Sequence, residues 1–138
     1  MALRRKSREF ALQMLFQWEV TRQDPKRLEK IFWKSARAEE RTREFADQLF
    51  EGAVALVPEI DALVASLSEN WQLDRLASVD RGILRLAICE LRLGTAPAKV
   101  VIDEALELAK KFSSAESPAF LNGVLDAAYK SLPGKPGK

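Results

Sequence analysis

The spacing of the apolar residues restricts the fold of this chain more than any other feature. Apolar residues recur at intervals of three and four, and no segment alternates apolar and polar residues. The first spacing places apolar side chains on one face of an α-helix, whereas alternation would indicate a β-strand. We therefore expect an all-α protein, a single helical domain of about seven helices. With 138 residues, 47% of them hydrophobic, the chain can form one substantial core.

The first predicted helix, at about 7–21, is apolar around most of its circumference. The residues that leave it only a narrow polar stripe are Phe10, Ala11, Leu12, Met14, Leu15, Phe16, Trp18 and Val20. A helix of this kind has to be covered on several sides. We expect it to lie between two groups of helices.

Proline and capping residues mark further helix boundaries. Asp24 and Pro25 predict the N-cap and first turn of a helix near 26–34. A longer helix is predicted from Glu39, and Pro58 predicts a break before another helix at 60–67. After residue 70 the sequence predicts a short helical connector at 71–76 and three helices at 77–93, 97–111 and 118–132. Residues 133–138 are predicted to form a disordered tail. The folded domain is thus expected to span 1–132.

The composition argues against catalysis. The chain has no histidine, which removes His-based acid–base and nucleophile systems and His-containing metal sites. Its six glycines are scattered and form no phosphate-binding loop. The single cysteine, Cys89, lies in an apolar helical run and is expected to be buried rather than reactive. We expect a non-enzymatic protein without cofactor or metal.

The same sequence predicts a cytoplasmic protein. No run approaches the roughly 20 apolar residues of a membrane span, and the basic N-terminus lacks the apolar stretch of a secretory signal. One cysteine permits no internal disulfide, which fits a reducing compartment.

Charge is distributed unevenly along the chain. Residues 1–43 hold twelve Lys and Arg against six Asp and Glu, whereas residues 44–74 hold seven acids and no base. This pattern predicts a nucleic-acid-binding end and, as one of two interpretations, a separate acidic surface. The other interpretation of the acids is ordinary solvated helix faces.

Four cations, Arg4, Arg5, Lys6 and Arg8, stand just before or within the first turn of the first predicted helix. Positive charge is unfavourable there, because a helix N-terminus carries partial positive charge and free N–H groups. An anion would resolve this conflict, so we predict that these side chains contact phosphates. The alternative is a frayed terminus in solvent.

Phe120 also has two interpretations. In the last predicted helix Leu121, Val124 and Leu125 define the buried stripe, and Phe120 falls beside it on a row with Gly123. The ring either widens the core face or stacks on an unpaired base.

Three arginines, Arg81, Arg85 and Arg92, share one helical stripe. They either extend the basic surface or pair with Glu90 or with acids of neighbouring helices, and we favour pairing.

Five segments of the chain carry a family resemblance. In chain order they are RRKSREFALQMLFQW at 4–18, WQLDRL at 71–76, DRGILRLAICEL at 80–91, KVVIDEALELAKKF at 99–112 and ESPAFLNGVLD at 116–126. Together they resemble the NusB family of transcription antitermination factors. Their order and coverage argue against a chance motif match. The resemblance implies two small three-helix bundles packed crosswise.

The resemblance also implies which residues bind RNA. They are Arg4, Arg5, Lys6, Arg8, Phe16, Glu116, Ser117 and Phe120. Phe16 stands where the family usually has tyrosine, and Glu116 where it commonly has aspartate. Ala119 replaces a frequent lysine, the residue that the family pattern associates with one phosphate contact, and Asp103 replaces a usual asparagine.

The implied function is binding of boxA-type single-stranded RNA together with NusE, the small-subunit ribosomal protein. The pair helps RNA polymerase resist termination, chiefly on ribosomal RNA operons. Two alternatives stay open. One is a module that binds another protein or associates with itself as a homodimer. The other is an accessory domain of a ribosomal RNA methyltransferase.

Overall fold

The computed structural model describes residues 2–67 and 76–132, and these residues confirm the all-α prediction. They form six helices: α1 (Ala2–Thr21), α2 (Pro25–Ser35), α3 (Glu40–Leu67), α4 (Ser78–Leu93), α5 (Ala98–Phe112) and α6 (Ser117–Ser131). The predicted connector at 71–76, apart from Leu76, and the predicted tail at 133–138 lie outside the described residues. Within the two described ranges, no helix is long and apolar enough to cross a membrane.

The predicted break at Pro58 is wrong, because α3 continues through it to Leu67. Proline lacks the N–H that would bond the carbonyl of Val54. Pro58 is exposed, whereas Val57 and Ile60 on the other side of α3 are buried, so water can satisfy that carbonyl. The two helices predicted around Pro58 are therefore one, and the described helices number six instead of seven.

Local chemistry explains two other boundaries. The Asp24 carboxylate accepts a hydrogen bond from the Arg27 N–H at 3.1 Å, and Pro25 opens α2, as predicted. α1 begins at Ala2, earlier than the predicted start at residue 7, since alanine, leucine, arginine and lysine are all good helix formers. The basic residues near the N-terminus consequently lie inside α1.

α1 lies between the other helices, as its apolar circumference predicted. It contacts α2, α3 and α4, and Ala11, Met14 and Leu15 are at most 1% exposed. α1, α2 and α3 pack on one another, and so do α4, α5 and α6. Contacts of α4 with α1 and α3 join these two groups of three into one core.

Cys89 is buried, as predicted, and fits closely against α3. A Cβ atom added to Gly52 would lie only 2.7 Å from the Cys89 Sγ. Burial raises the pKa of the Cys89 thiol to about 11, so thiolate chemistry is disfavoured. Gly52 therefore allows the α3–α4 packing.

We expect Gly52→Ala to lower the free energy of unfolding by about 1–2 kcal/mol, because the overlap with Sγ outweighs the helix propensity of alanine. Denaturant unfolding measures this loss. Adding Cys89→Ala removes the Sγ atom and should recover most of it, with Cys89→Ala alone as the control. A Gly52→Ala protein as stable as the unsubstituted one would contradict the packing argument.

Candidate nucleic-acid interface

The four predicted phosphate-binding cations point in different directions around α1. The Arg4 guanidinium lies 4.5 Å from the centre of the Phe45 ring, and the Lys6 ammonium lies 5.5 Å from that of Phe10. The other two point towards carboxylates of other helices. Since each residue of a helix is rotated by about 100° from the last, neighbours in sequence do not form one patch.

Arg5 is accessible although it is paired. Its side chain is 55% exposed and donates to both carboxylate oxygens of Glu104, at 3.0 and 2.8 Å. These hydrogen bonds hold the pKa of Glu104 below its usual range. Exposed ion pairs contribute only about 0–1 kcal/mol to stability, so a phosphate can displace Glu104 from Arg5. Glu104 would still have a second cationic partner, because Arg8 Nη1 lies 3.8 Å from its Oε1 atom.

Arg8 is inside the protein. It is 5% exposed and pairs with Glu90, which is 2% exposed. The Nε–Oε1 distance is 2.8 Å, and a second hydrogen bond joins Nη2 to Oε2. This two-point pairing ties α1 to α4 and leaves the guanidinium almost no surface for a phosphate.

An apolar groove of about 410 Å³ lies between α1, α4 and the end of α5. Phe16 and Phe112 line it and are 48% and 40% exposed, and Leu12, Val79 and Gly82 complete its apolar wall. Exposed aromatic rings beside a shallow apolar groove suit an unpaired nucleobase. The sequence interpretation missed Phe112; its signal is an aromatic residue that ends a helix immediately before a serine-rich connection.

The first turn of α6 is held beside this groove by Asp80. The Asp80 carboxylate accepts hydrogen bonds from Ser113 at 2.7 Å and from Ser117 at 3.0 Å. Since Val79 precedes Asp80 and lines the groove, the start of α6 lies next to it. Ser117 is buried with its hydroxyl bonded inside the protein, whereas Glu116 is exposed.

Phe120 follows in the same helix and is half-buried. Its ring packs partly against the core, so it lies between the two predicted interpretations. At Gly123, one turn later, an added Cβ would meet no other described atom within 4 Å. The row that carries Phe120 and Gly123 is therefore open to a ligand.

Each of the three arginines on the α4 stripe bonds a carboxylate of α1 or α3. This confirms the prediction that they form ion pairs, and the partners are acids of neighbouring helices instead of Glu90. The pairs are Arg81–Glu19 at 2.8 Å, Arg85–Asp61 at 2.8 Å and Arg92–Glu59 at 3.0 Å. Two acids of the predicted acidic surface, Asp61 and Glu59, are thus partners of α4 arginines, and Glu59 remains exposed. Their pairing argues against a separate acidic surface formed by these two residues.

Glu29, on α2, is a buried carboxyl that faces two acids of α3. It is 7% exposed, and no described group hydrogen-bonds its Oε2 atom. Burial first, and then the hydrogen bond to Glu51 and the charge of Asp47, raise the pKa of Glu29 to about 8. Among the described residues, no group of three or more Cys, Asp or Glu side chains could hold a metal ion. The raised pKa means that the Glu29 carboxyl carries a proton near neutral pH.

This raised pKa makes stability depend on pH. The folded protein holds a proton on Glu29 that the unfolded chain has lost, so the contribution of Glu29 to stability is fully present below about pH 4.5 and is lost as pH rises towards 8. Glu29→Gln should remove this dependence and raise the free energy of unfolding by about 2 kcal/mol near pH 8, with little change near pH 5. Denaturant unfolding across this range checks it. The control is Glu44→Gln, which removes the same charge from an exposed residue of α3. If the free energy of unfolding depended on pH in the same way in both variants, Glu29 would not be the source of the pH dependence.

Comparison with known proteins places the chain in one family. The sequence model of the NusB family matches residues 5–130. A transcription antitermination protein NusB from Koribacter versatilis is 47% identical over 131 residues, which cover 94% of this chain and 90% of that protein. The corresponding protein from Solibacter usitatus is 42% identical and covers 96% of this chain and 92% of its own length.

Solved structures agree with this placement. NusB of T. maritima is 36% identical with a TM-score of 0.82, over 93% of this chain and 91% of that one. A crystal structure of the antitermination factors NusB and NusE in complex with dsRNA contains a chain that is 30% identical with a TM-score of 0.84, over 96% of this chain and 99% of that one. The protein described here therefore belongs to the NusB family.

Proposed function

We propose that this protein is a transcription antitermination factor, which binds boxA-type single-stranded RNA together with NusE and helps RNA polymerase resist termination, chiefly on ribosomal RNA operons. The observation that carries the proposal is the solved complex of NusB, NusE and dsRNA, whose matching chain superimposes on nearly all of this one. The names of the curated relatives support the antitermination role. The site of action is the cytoplasm.

RNA would bind across the face built from α1, the groove and the start of α6, which we call the α1–α6 face. Arg5 points towards α5, whereas Arg4 lies over Phe45 and Lys6 over Phe10 on other sides of α1. RNA that passes around the N-terminal part of α1 would contact all three, of which Arg5 and Lys6 are exposed and Arg4 is half-buried. Phe16 offers a ring to a base in the groove, and phosphates neutralise the cations. The protein acts by binding and orienting RNA, with no bond made or broken.

Within this proposal the remaining residues have unequal roles. Ser117 fixes the start of α6 through Asp80, and Glu116 is exposed next to it. Phe120 presents the open edge of its half-buried ring. Arg8 contributes indirectly, since its pairing with Glu90 fixes the helix that carries the exposed cations.

Replacing the two rings separates their roles. Phe16→Ala should weaken RNA binding by about 1–3 kcal/mol with little effect on stability, because its ring is 48% exposed. Phe120→Ala should weaken RNA binding similarly and also lower the melting temperature, because that ring packs partly on the core. RNA titrations and thermal melts measure both effects. Val20→Ala, which trims a 72% exposed side chain on α1, is the control. Unchanged RNA affinity in both phenylalanine variants would exclude stacking.

Calorimetry with the partner protein tests the proposed function. NusE should raise the affinity for boxA-type RNA by a coupling of about 1–3 kcal/mol, and RNA should tighten NusE binding equally, because linkage is reciprocal. Equal RNA affinity with and without saturating NusE would reject the joint binding. Sedimentation of the protein with and without NusE would show whether it forms a homodimer and whether NusE dissociates that dimer.

A further inference from the structure

α2 carries a row of lysines that the functional assignment so far does not use. Lys26, Lys30 and Lys34 follow one another at intervals of four residues, and all are exposed. With a rise of 1.5 Å per residue, such a spacing places successive ammonium groups about 6 Å apart along one side of the helix. This distance resembles that between neighbouring phosphates of a nucleic-acid strand.

The row widens into a basic surface around the end of α2. Arg43 of α3 lines one depression with the three lysines, and we call the surface formed by these four cations the α2 face. Arg37 and Arg41 are exposed between α2 and the first turn of α3, together with Glu39 and Glu40. Of the cations on the α2 face, all within the described residues, only Lys26 forms an ion pair, with Glu51 at 2.9 Å. This contrasts with Arg5 and Arg8 of α1, which are both bonded to carboxylates.

The α2 face adjoins the cations of α1. Lys6 lies over the Phe10 ring, which packs edge-on against Trp33 at a centroid distance of 5.2 Å. The Arg43 guanidinium lies 5.3 Å from the centre of the Trp33 ring. The rings of Phe10 and Trp33 thus lie between Lys6 of α1 and Arg43 of the α2 face, so the two sets of cations adjoin across these rings.

This arrangement is unfavourable for the isolated protein. Like charges four residues apart repel on a helix, and Lys26 also stands in the first turn, where the helix dipole disfavours cations. Three carboxyl groups lie beside the row: Glu51 is paired with Lys26, Asp47 accepts a hydrogen bond from Trp33 at 2.8 Å, and Glu29 holds a proton near neutral pH. An external polyanion would relieve the repulsion among the unpaired cations.

We propose that the α2 face is a second RNA-binding surface, which holds the phosphate backbone of RNA that flanks the element on the α1–α6 face. Lysine is depleted at protein–protein interfaces, whereas lysine and arginine dominate contacts with phosphates, so the chemistry favours RNA over an acidic protein. This proposal rests on the proposed function in one respect, which is that the RNA held here flanks a boxA-type element. No base is read at this surface, so it gives affinity without sequence preference.

The salt dependence of binding to two RNAs tests this proposal. One RNA is a boxA-type element alone, and the other is the same element extended on both sides by uracil tracts. The variant Lys30→Gln with Lys34→Gln removes two exposed, unpaired charges. Its control, Lys99→Gln with Lys130→Gln, removes two exposed charges elsewhere, and Lys130, like Lys34, stands in the last turn of its helix.

For the extended RNA, the slope of log K against log salt should become less steep by about 1.4 in the Lys30–Lys34 variant and stay unchanged in the control. For the element alone, neither variant should change the slope. Equal slopes of the unsubstituted protein and the Lys30–Lys34 variant on the extended RNA would overturn the proposal and leave α2 a solvated face. Loss of NusE binding with an unchanged RNA slope would also overturn it, since α2 would then bind protein.

Failure of the proposed function gives a different result. If the element alone did not bind while the extended RNA bound with a slope that depends on Lys30 and Lys34, the α2 face would stand and the boxA assignment would fall. If neither RNA bound, both would be wrong.

Discussion

Replacing Arg8 with methionine should lower the free energy of unfolding by about 3–5 kcal/mol, because it leaves the Glu90 carboxylate buried without its partner. Glu90 is 2% exposed, so water cannot replace the lost hydrogen bonds. Glu90→Gln should cost less, since Arg8 still has Glu104 at 3.8 Å. Denaturant unfolding of both variants measures these losses.

A double substitution separates the contribution of the Arg8–Glu90 ion pair to stability from that of side-chain packing. Arg8→Met with Glu90→Leu removes both charges, so the double variant should be much more stable than the sum of the single losses predicts. The exposed Arg92–Glu59 pair is the matched control, where the same cycle should give a coupling of about 0–1 kcal/mol. Similar small couplings for both pairs would show that the buried pair does not join α1 to α4 as described.

Removing the accessible cations of α1 should give the largest loss of RNA affinity. Three phosphate contacts on single-stranded RNA correspond to a salt slope of about −2, so Arg4→Gln, Arg5→Gln and Lys6→Gln together should flatten the slope by that amount. The same slope implies a loss of about 100-fold in affinity at 0.1 M salt. Filter binding or anisotropy at several salt concentrations measures both quantities.

The matching control removes three exposed charges that line neither the groove nor the first turn of α6. It combines Arg92→Gln, Lys99→Gln and Lys130→Gln, and it should leave the slope unchanged. A similar flattening in both triple variants would mean that RNA responds to net charge alone. An unchanged slope in the α1 variant would remove these cations from the interface.

Local sequence patterns predicted the helices because their causes are local. Periodicity indicated the helices, and Asp24 and Pro25 predicted the start of α2. The error at Pro58 arose because tolerance of an interior proline depends on which side of the helix faces solvent. That side is set by packing against other helices, which a local pattern does not contain.

The candidate site was less predictable, because its chemistry depends on contacts between distant residues. The charge cluster at the N-terminus was visible in the sequence, but the partner of Arg8 lies on α4 and that of Arg5 on α5. These pairings divide the cluster into a buried residue and accessible ones. The groove beside Phe16 likewise requires three helices to meet before it exists.

Photo-cross-linking tests the central claim, that RNA lies on the α1–α6 face, most directly. A boxA-type RNA with 4-thiouridine at single positions is irradiated with the protein and NusE, and the cross-linked peptides are identified by mass spectrometry. We predict cross-links to peptides that contain Phe16, Phe112 or Phe120, and their loss on Phe16→Ala and Phe120→Ala substitution. Cross-links confined to α2 or α3, with none on α1, α5 or α6, would contradict the account.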